Sequence, residues 1–164
     1  ILQPKTILEI GTYTGYSALC LAEGLKNGGI LHTIDINEKL KPRVQKYISK
    51  AGMDKHIQFH LGNALEIIPQ LHGEIDLVFI DADKENYNNY FDLVIDQIPS
   101  GGMIIVDNVL FKGKVLNYNY YYEVHNDNET KAIHEFNEKV HSDPRVDNLL
   151  LPVRDGLMLL QKIW

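Results

Sequence analysis

Strand-like and helix-like stretches alternate along almost the whole chain, and that alternation leaves few folds open. The runs Thr6–Ile10, Ile30–Ile36, Ile57–Leu61, Ile75–Ile80, Gly102–Val106, Val146–Leu151 and Leu157–Lys162 read as strands. Helical patterning falls between them, over Tyr16–Lys26, Glu38–Ala51, Ala64–Leu71, Lys84–Gln97 and Glu129–His141. Breakers punctuate the order: Asn27-Gly28-Gly29 after the first helix, Gly52 after the second, and Pro99-Ser100-Gly101-Gly102 before the fifth strand. Several strand runs are continuously apolar rather than alternating, as a strand covered on both faces must be. Right-handed crossovers then wind helices onto both sides of one sheet. Only Pro152–Gly156 separates the last two runs, a link short enough for a hairpin. The expectation is an α/β fold, a doubly wound, seven-stranded, mostly parallel sheet with an antiparallel last strand, as one domain over residues 1–164.

Charge and cysteine usage narrow the function classes. The net charge of −6 argues against a nucleic-acid surface, which needs a basic stripe. No apolar run approaches the ~20 residues of a membrane span, and no secretory signal opens the chain. Cys20 has no partner cysteine, which points to a reducing compartment, the cytoplasm. It reads as a small core residue on the helix Ser17–Lys26. The histidines show no ligand spacing, and His134 and His141 read as surface residues. The chain begins without Met, almost directly at a strand, so an N-terminal segment is expected to precede it.

Two polar clusters follow buried strands. Asp81-Ala82-Asp83-Lys84 follows Leu77–Ile80, and Asp107-Asn108 follows Met103–Val106. In an open α/β sheet the carboxyl ends of parallel strands face one crevice. Two carboxylates and an amide oxygen there suit a hard divalent cation, Mg²⁺ foremost, with Mn²⁺ or Ca²⁺ as alternatives. Lys84 would stand beside that ion as a base. The blander reading is that Asp81 caps the following helix and Asp107-Asn108 forms a turn. Asp83 either touches substrate or shapes the loop.

Glu9-Ile10-Gly11-Thr12-Tyr13-Thr14-Gly15-Tyr16-Ser17 joins the first strand to its helix. Its G-x-x-x-G spacing lacks the middle glycine of a dinucleotide fingerprint, and Tyr13 would crowd a pyrophosphate. The loop better suits a ligand without phosphates, which disfavours a nicotinamide-dependent oxidoreductase. Asp35 ends the second strand twenty residues past Gly15, where a carboxylate can accept both ribose hydroxyls. Asn63 and Ala64 either touch the base of that nucleoside or form a turn with Asn63 as helix cap. Glu9 either binds a ligand amine or braces the loop. The long, tyrosine-rich segment Leu110–Asn128 is a candidate lid.

These segments together resemble the cation-dependent class I S-adenosylmethionine O-methyltransferases, the group of catechol and caffeoyl-CoA O-methyltransferases. The resemblance rests on ILEIGTYTGYS (Ile7–Ser17), Thr33–Ile36, DLVFIDADKENY (Asp76–Tyr87), GGMIIVDN (Gly101–Asn108) and the tail Asp143–Leu160 with Asp155-Gly156-Leu157. It implies a Rossmann-like fold and transfer of a methyl group from S-adenosylmethionine to a hydroxyl of a small catechol-like aromatic acceptor. It implies Asp81, Asp107 and Asn108 as metal ligands and Lys84 as general base. Gly11, Tyr13, Gly15 and Ser17 would surround the methionine part of the cofactor, and Asp35 would hold the ribose. Many relatives carry Asp where this chain has Asn63. Relatives also begin with a helical segment that covers the ligands and often forms a homodimer. Two other activities remain open: a methyltransferase acting on a hydroxylated tRNA base, and a cofactor-binding module without catalysis.

Overall fold

The computed structural model describes residues 2–164. Seven strands, β1 (Thr6–Ile10), β2 (Ile30–Asp35), β3 (Ile57–Leu61), β4 (Leu77–Ile80), β5 (Met103–Asp107), β6 (Val146–Leu151) and β7 (Leu157–Lys162), form one sheet in the order β3-β2-β1-β4-β5-β7-β6. The first five are parallel. β7 runs antiparallel to both neighbours and is inserted between β5 and β6. The helices are α1 (Tyr16–Ala22), α2 (Lys41–Lys50), α3 (Ala64–Ile67), α4 (Tyr87–Val94) and α5 (Asn128–Ser142). Tight 3₁₀ turns extend α2 and α4 at their starts and α3 and α4 at their ends.

The side-chain period of two explains the continuous apolar runs. Leu8, Ile10, Val78, Ile80, Ile104 and Val106 face α4 and α5, where Phe91, Ile133 and Phe136 are fully buried. Ile7, Leu31, Ile57 and Leu77 face the other way, against Ala18, Ala22, Val44 and Ile48 of α1 and α2. Each strand thus feeds two cores. The chain winds outward from β1 to β3, then returns to β4 on the other side of β1. That reversal opens a crevice at the carboxyl ends of β1 and β4, where such sheets bind ligands.

Four sequence expectations require correction. The first helix stops at Ala22 rather than Lys26, because Lys26 N–H turns to the Pro4 carbonyl at 2.9 Å and Gly29 N–H to Lys26. Cys20 is exposed, not in the core. α1 buries Ala18 and Ala22, one turn apart, and Cys20 lies between them on the opposite side. Segment 110–128, the candidate lid, is a set of short 3₁₀ and π turns packed on α5, and none of its residues lines the crevice. Lys114 Nζ meets Asp127 at 2.5 Å, and the Tyr118 ring stacks on His134 at 4.1 Å and Tyr122 at 5.5 Å. His134 is therefore half-buried, whereas His141 is exposed as expected. Among the described residues no helix is long and apolar enough to cross a membrane.

Candidate active site

A cavity of about 810 Å³ opens at the carboxyl ends of β1 to β5. It is lined by the glycine loop, by Asp35 and Ile36 after β2, by Gly62–Leu65 after β3, and by Asp81, Asp83 and Asp107 at the ends of β4 and β5. Gly11, Tyr13, Ser17, Asp35, Asn63, Ala64, Asp81 and Asp107 thus share one wall, as the sequence suggested. Glu9, Gly15, Lys84 and Asn108 stand just behind it.

The glycine loop is shaped by close approach. Gly11 has φ +102°, and a Cβ there would lie 2.0 Å from the Asp81 carbonyl oxygen. Only glycine lets the β1 turn pass this close to the end of β4. Tyr13 is itself left-handed, at φ 48°, and its amide donates to Asp35 Oδ2 at 2.7 Å. Asn37 N–H donates to Asp35 Oδ1 at 2.8 Å. Two backbone donors therefore aim the Asp35 carboxylate at the cavity. Asn37, not Asp35, caps the following turn, accepting from Lys39 N–H at 3.1 Å. Asn63 does cap α3, accepting from Leu65 N–H at 3.0 Å, while still lining the cavity.

Glu9 is fully buried beneath the loop. Thr33 donates to its Oε2, and Thr12 and Thr33 hydroxyls lie 2.5 Å apart. Its Oε1 has no partner. Burial pushes the carboxyl up to about 7, with the Asp81 and Asp35 charges adding to the rise and Ser17 and Thr33 hydroxyls opposing it. The folded chain therefore holds a proton on Glu9 that the unfolded chain releases near pH 4.5. Stability should fall as pH rises from 4.5 through 7 and level off above. Glu9→Gln should flatten that slope and stabilise the ligand-free chain at pH 8 by up to about 3 kcal/mol, at 1.36 kcal/mol per unit. Urea midpoints of both chains at pH 5 and pH 8 check this. Equal slopes would show that Glu9 ionises freely.

The two polar clusters converge. Lys84 Nζ donates to Asp81 Oδ1 at 3.1 Å, Asn108 Oδ1 at 2.7 Å and the Tyr87 hydroxyl at 2.5 Å. Tyr87 in turn donates to the Asp107 carbonyl at 3.1 Å. β4 and β5 are direct neighbours, so their ends meet without any loop excursion. Asn108 sits at φ 65°, a conformation asparagine tolerates better than most residues. Its amide folds back onto Asp107 Oδ1 at 2.6 Å. Burial raises the Asp107 pKa, the Asn108 amide opposes the rise, and the Asp81 charge adds to it.

The donor set fits a hard cation. Asp81 and Asn108 oxygens already converge on one positive charge, the Lys84 ammonium. Among the described residues no three His, Cys, Asp or Glu side chains are grouped to hold an ion, so the set would be two carboxylates and an amide. The capping reading does not fit Asp81, which makes no helix-capping bond: the residue at the cap position is Asp83, whose side chain accepts from Tyr90 at 2.5 Å and from Asn86. The turn reading does hold for Asn108, whose carbonyl accepts from Phe111 N–H at 3.0 Å. Asp83 thus braces the loop while also lining the cavity.

Sequence reasoning missed Tyr87 and Tyr90. Tyr87 is fully buried, with its hydroxyl pKa pushed far above the usual range by burial and nearby carboxylates. It stays a neutral phenol. Its spacing from Lys84, one helical turn, was the available signal. Thr12 and Thr33, which brace Glu9, carried no signal of that kind.

Comparison with known proteins follows the same lines. A family model described as O-methyltransferase matches residues 1–163. Caffeoyl-CoA O-methyltransferase 5 of Nicotiana tabacum is 36% identical over 177 residues, spanning 99% of this chain and 71% of that protein. Its counterpart in Mesembryanthemum crystallinum is 37% identical, spanning 99% of this chain and 67% of that one. The structure of an O-methyltransferase from Bacillus cereus in complex with SAH superposes with a TM-score of 0.89 at 32% identity, over 98% of this chain and 76% of the other. The O-methyltransferase TomG from Streptomyces achromogenes, in complex with SAM, gives 0.90 at 28% identity, over 99% and 75%. With nearly every residue matched and the same sheet recovered, the chain belongs to the O-methyltransferase family.

Proposed function

We propose that the chain transfers a methyl group from S-adenosylmethionine to one hydroxyl of a small catechol-like acceptor, assisted by a divalent cation, magnesium foremost. The observation that carries this reading is the meeting of Asp81, Asn108 and the Lys84 amine at the rim of the crevice that Asp35 and the glycine loop frame. The SAH- and SAM-bound structural relatives and the caffeoyl-CoA enzymes support it.

Asp35, held by two backbone amides, offers its remaining lone pairs to the ribose hydroxyls. Asn63 and Ala64 border the adenine. Gly11, Tyr13, Gly15 and Ser17 would border the methionine part, with the buried Glu9 bracing the loop beneath them. Asp81, Asp107 and Asn108 would hold the cation, which would acidify a bound hydroxyl and orient its neighbour. Lys84 takes the hydroxyl proton, and Tyr87 fixes where its amine stands. An oxyanion and a sulfonium give neutral products, so the apolar side of the crevice favours the reaction by excluding water.

The test is transfer of labelled methyl from S-adenosylmethionine to a panel of catechols, monophenols and purified tRNA. Methylated catechol with magnesium present is the expected product. Tight binding of S-adenosylhomocysteine without turnover on any acceptor would favour the non-catalytic module instead.

A further inference from the structure

All three N–H groups of the Lys84 ammonium are taken by the protein. They go to Asp81 Oδ1 at 3.1 Å, Asn108 Oδ1 at 2.7 Å and Tyr87 Oη at 2.5 Å. An ammonium has three donors and no acceptor, so every hydrogen bond it can make is already made. The side chain is 11% exposed, which leaves little room for water to substitute. Two of its three partners are the oxygens assigned above to the divalent cation.

The geometry points to Lys84 as an internal stand-in cation: the divalent ion and the ammonium compete for Asp81 and Asn108, and the ion's arrival releases the amine to Tyr87 alone. This rests on the cation reading of the site. The Tyr87 phenol is suited to remain as the single tether. It is fully buried, packs edge-on against Phe136 with ring centroids 5.6 Å apart, and spends its own proton on the Asp107 carbonyl. That last bond forces its oxygen to act as acceptor toward Lys84. Tyr87 is therefore a positioning residue. It keeps the amine at the rim after the other two contacts are given up, and it ties α4 to the end of β5. The consequence is an order of events. Without the divalent ion all three donors of the amine are held by the protein, and with it only the bond to Tyr87 remains.

The experiment has two arms. Crystal structures of the chain with and without Mg²⁺ should show the Lys84 contacts to Asp81 and Asn108 broken by the ion and the contact to Tyr87 kept. Calorimetric titration of Mg²⁺ into Lys84→Met should show binding at least about tenfold tighter than to the unaltered chain, since the competitor is gone. An ammonium still bonded to both oxygens beside a bound ion would overturn the inference and leave the cation reading standing. So would a Lys84→Met chain that binds Mg²⁺ no tighter. Absence of Mg²⁺ binding in both chains would overturn the cation reading and this inference together.

Discussion

Lys84→Met is expected to cut methyl transfer by about 10²–10⁴-fold, the range for a positioned general base, while leaving S-adenosylhomocysteine affinity within about twofold. The split follows from position. Lys84 does not line the cofactor cavity, whereas Asp81, which it contacts, does. Methionine keeps most of the aliphatic stem and drops only the amine with its contact to Tyr87, so the loss reports the amine itself. Initial rates with saturating methyl donor, set beside calorimetric binding of S-adenosylhomocysteine, make the measurement. Unchanged turnover would remove Lys84 from the chemistry.

Asp107→Ala should lose transfer and the response to magnesium together. A bound ion contributes several kcal/mol of charge stabilisation, so the rate should drop by about 10³-fold or more. The residue lies at the last position of β5, partly exposed, and its side chain bonds only the next amide. The fold should therefore survive, which far-UV dichroism and a melting curve can establish. Asp107→Asn, which keeps the shape and drops the charge, should fall between the two. A variant that loses turnover but still answers to magnesium would place the ion elsewhere.

Much of this architecture was legible because continuous apolar runs bounded by breakers admit little else. β1, β3, β6 and β7 begin and end where their runs do. The polar clusters at the ends of β4 and β5 meet at Lys84 because parallel neighbours in register must bring their carboxyl ends together. Sequence could suggest the hairpin of β6 and β7 from its short link, but not that β7 would slip between β5 and β6. That choice depends on Leu160 and Met158 finding the core beside Ile104 and Val106. The end of α1 was missed because it is set by a bond to Pro4, far along the chain. The segment after Asn108 was misjudged for a related reason. Its tyrosines are long-range partners of His134 and Lys131 on α5, and composition does not distinguish a tyrosine that stacks on a helix from one that covers a ligand. Within the site, the carboxylates, the amide and the lysine were readable as types at strand ends. The Tyr87 bridge was not, since it joins the start of α4 to the backbone of β5 through tertiary packing alone.

The most direct test strips the chain of metal with a chelator, then restores ions one at a time while methyl transfer to a catechol is followed. A cation held by Asp81, Asp107 and Asn108 requires no transfer in chelator and full recovery with Mg²⁺. Undiminished transfer in excess chelator would contradict it.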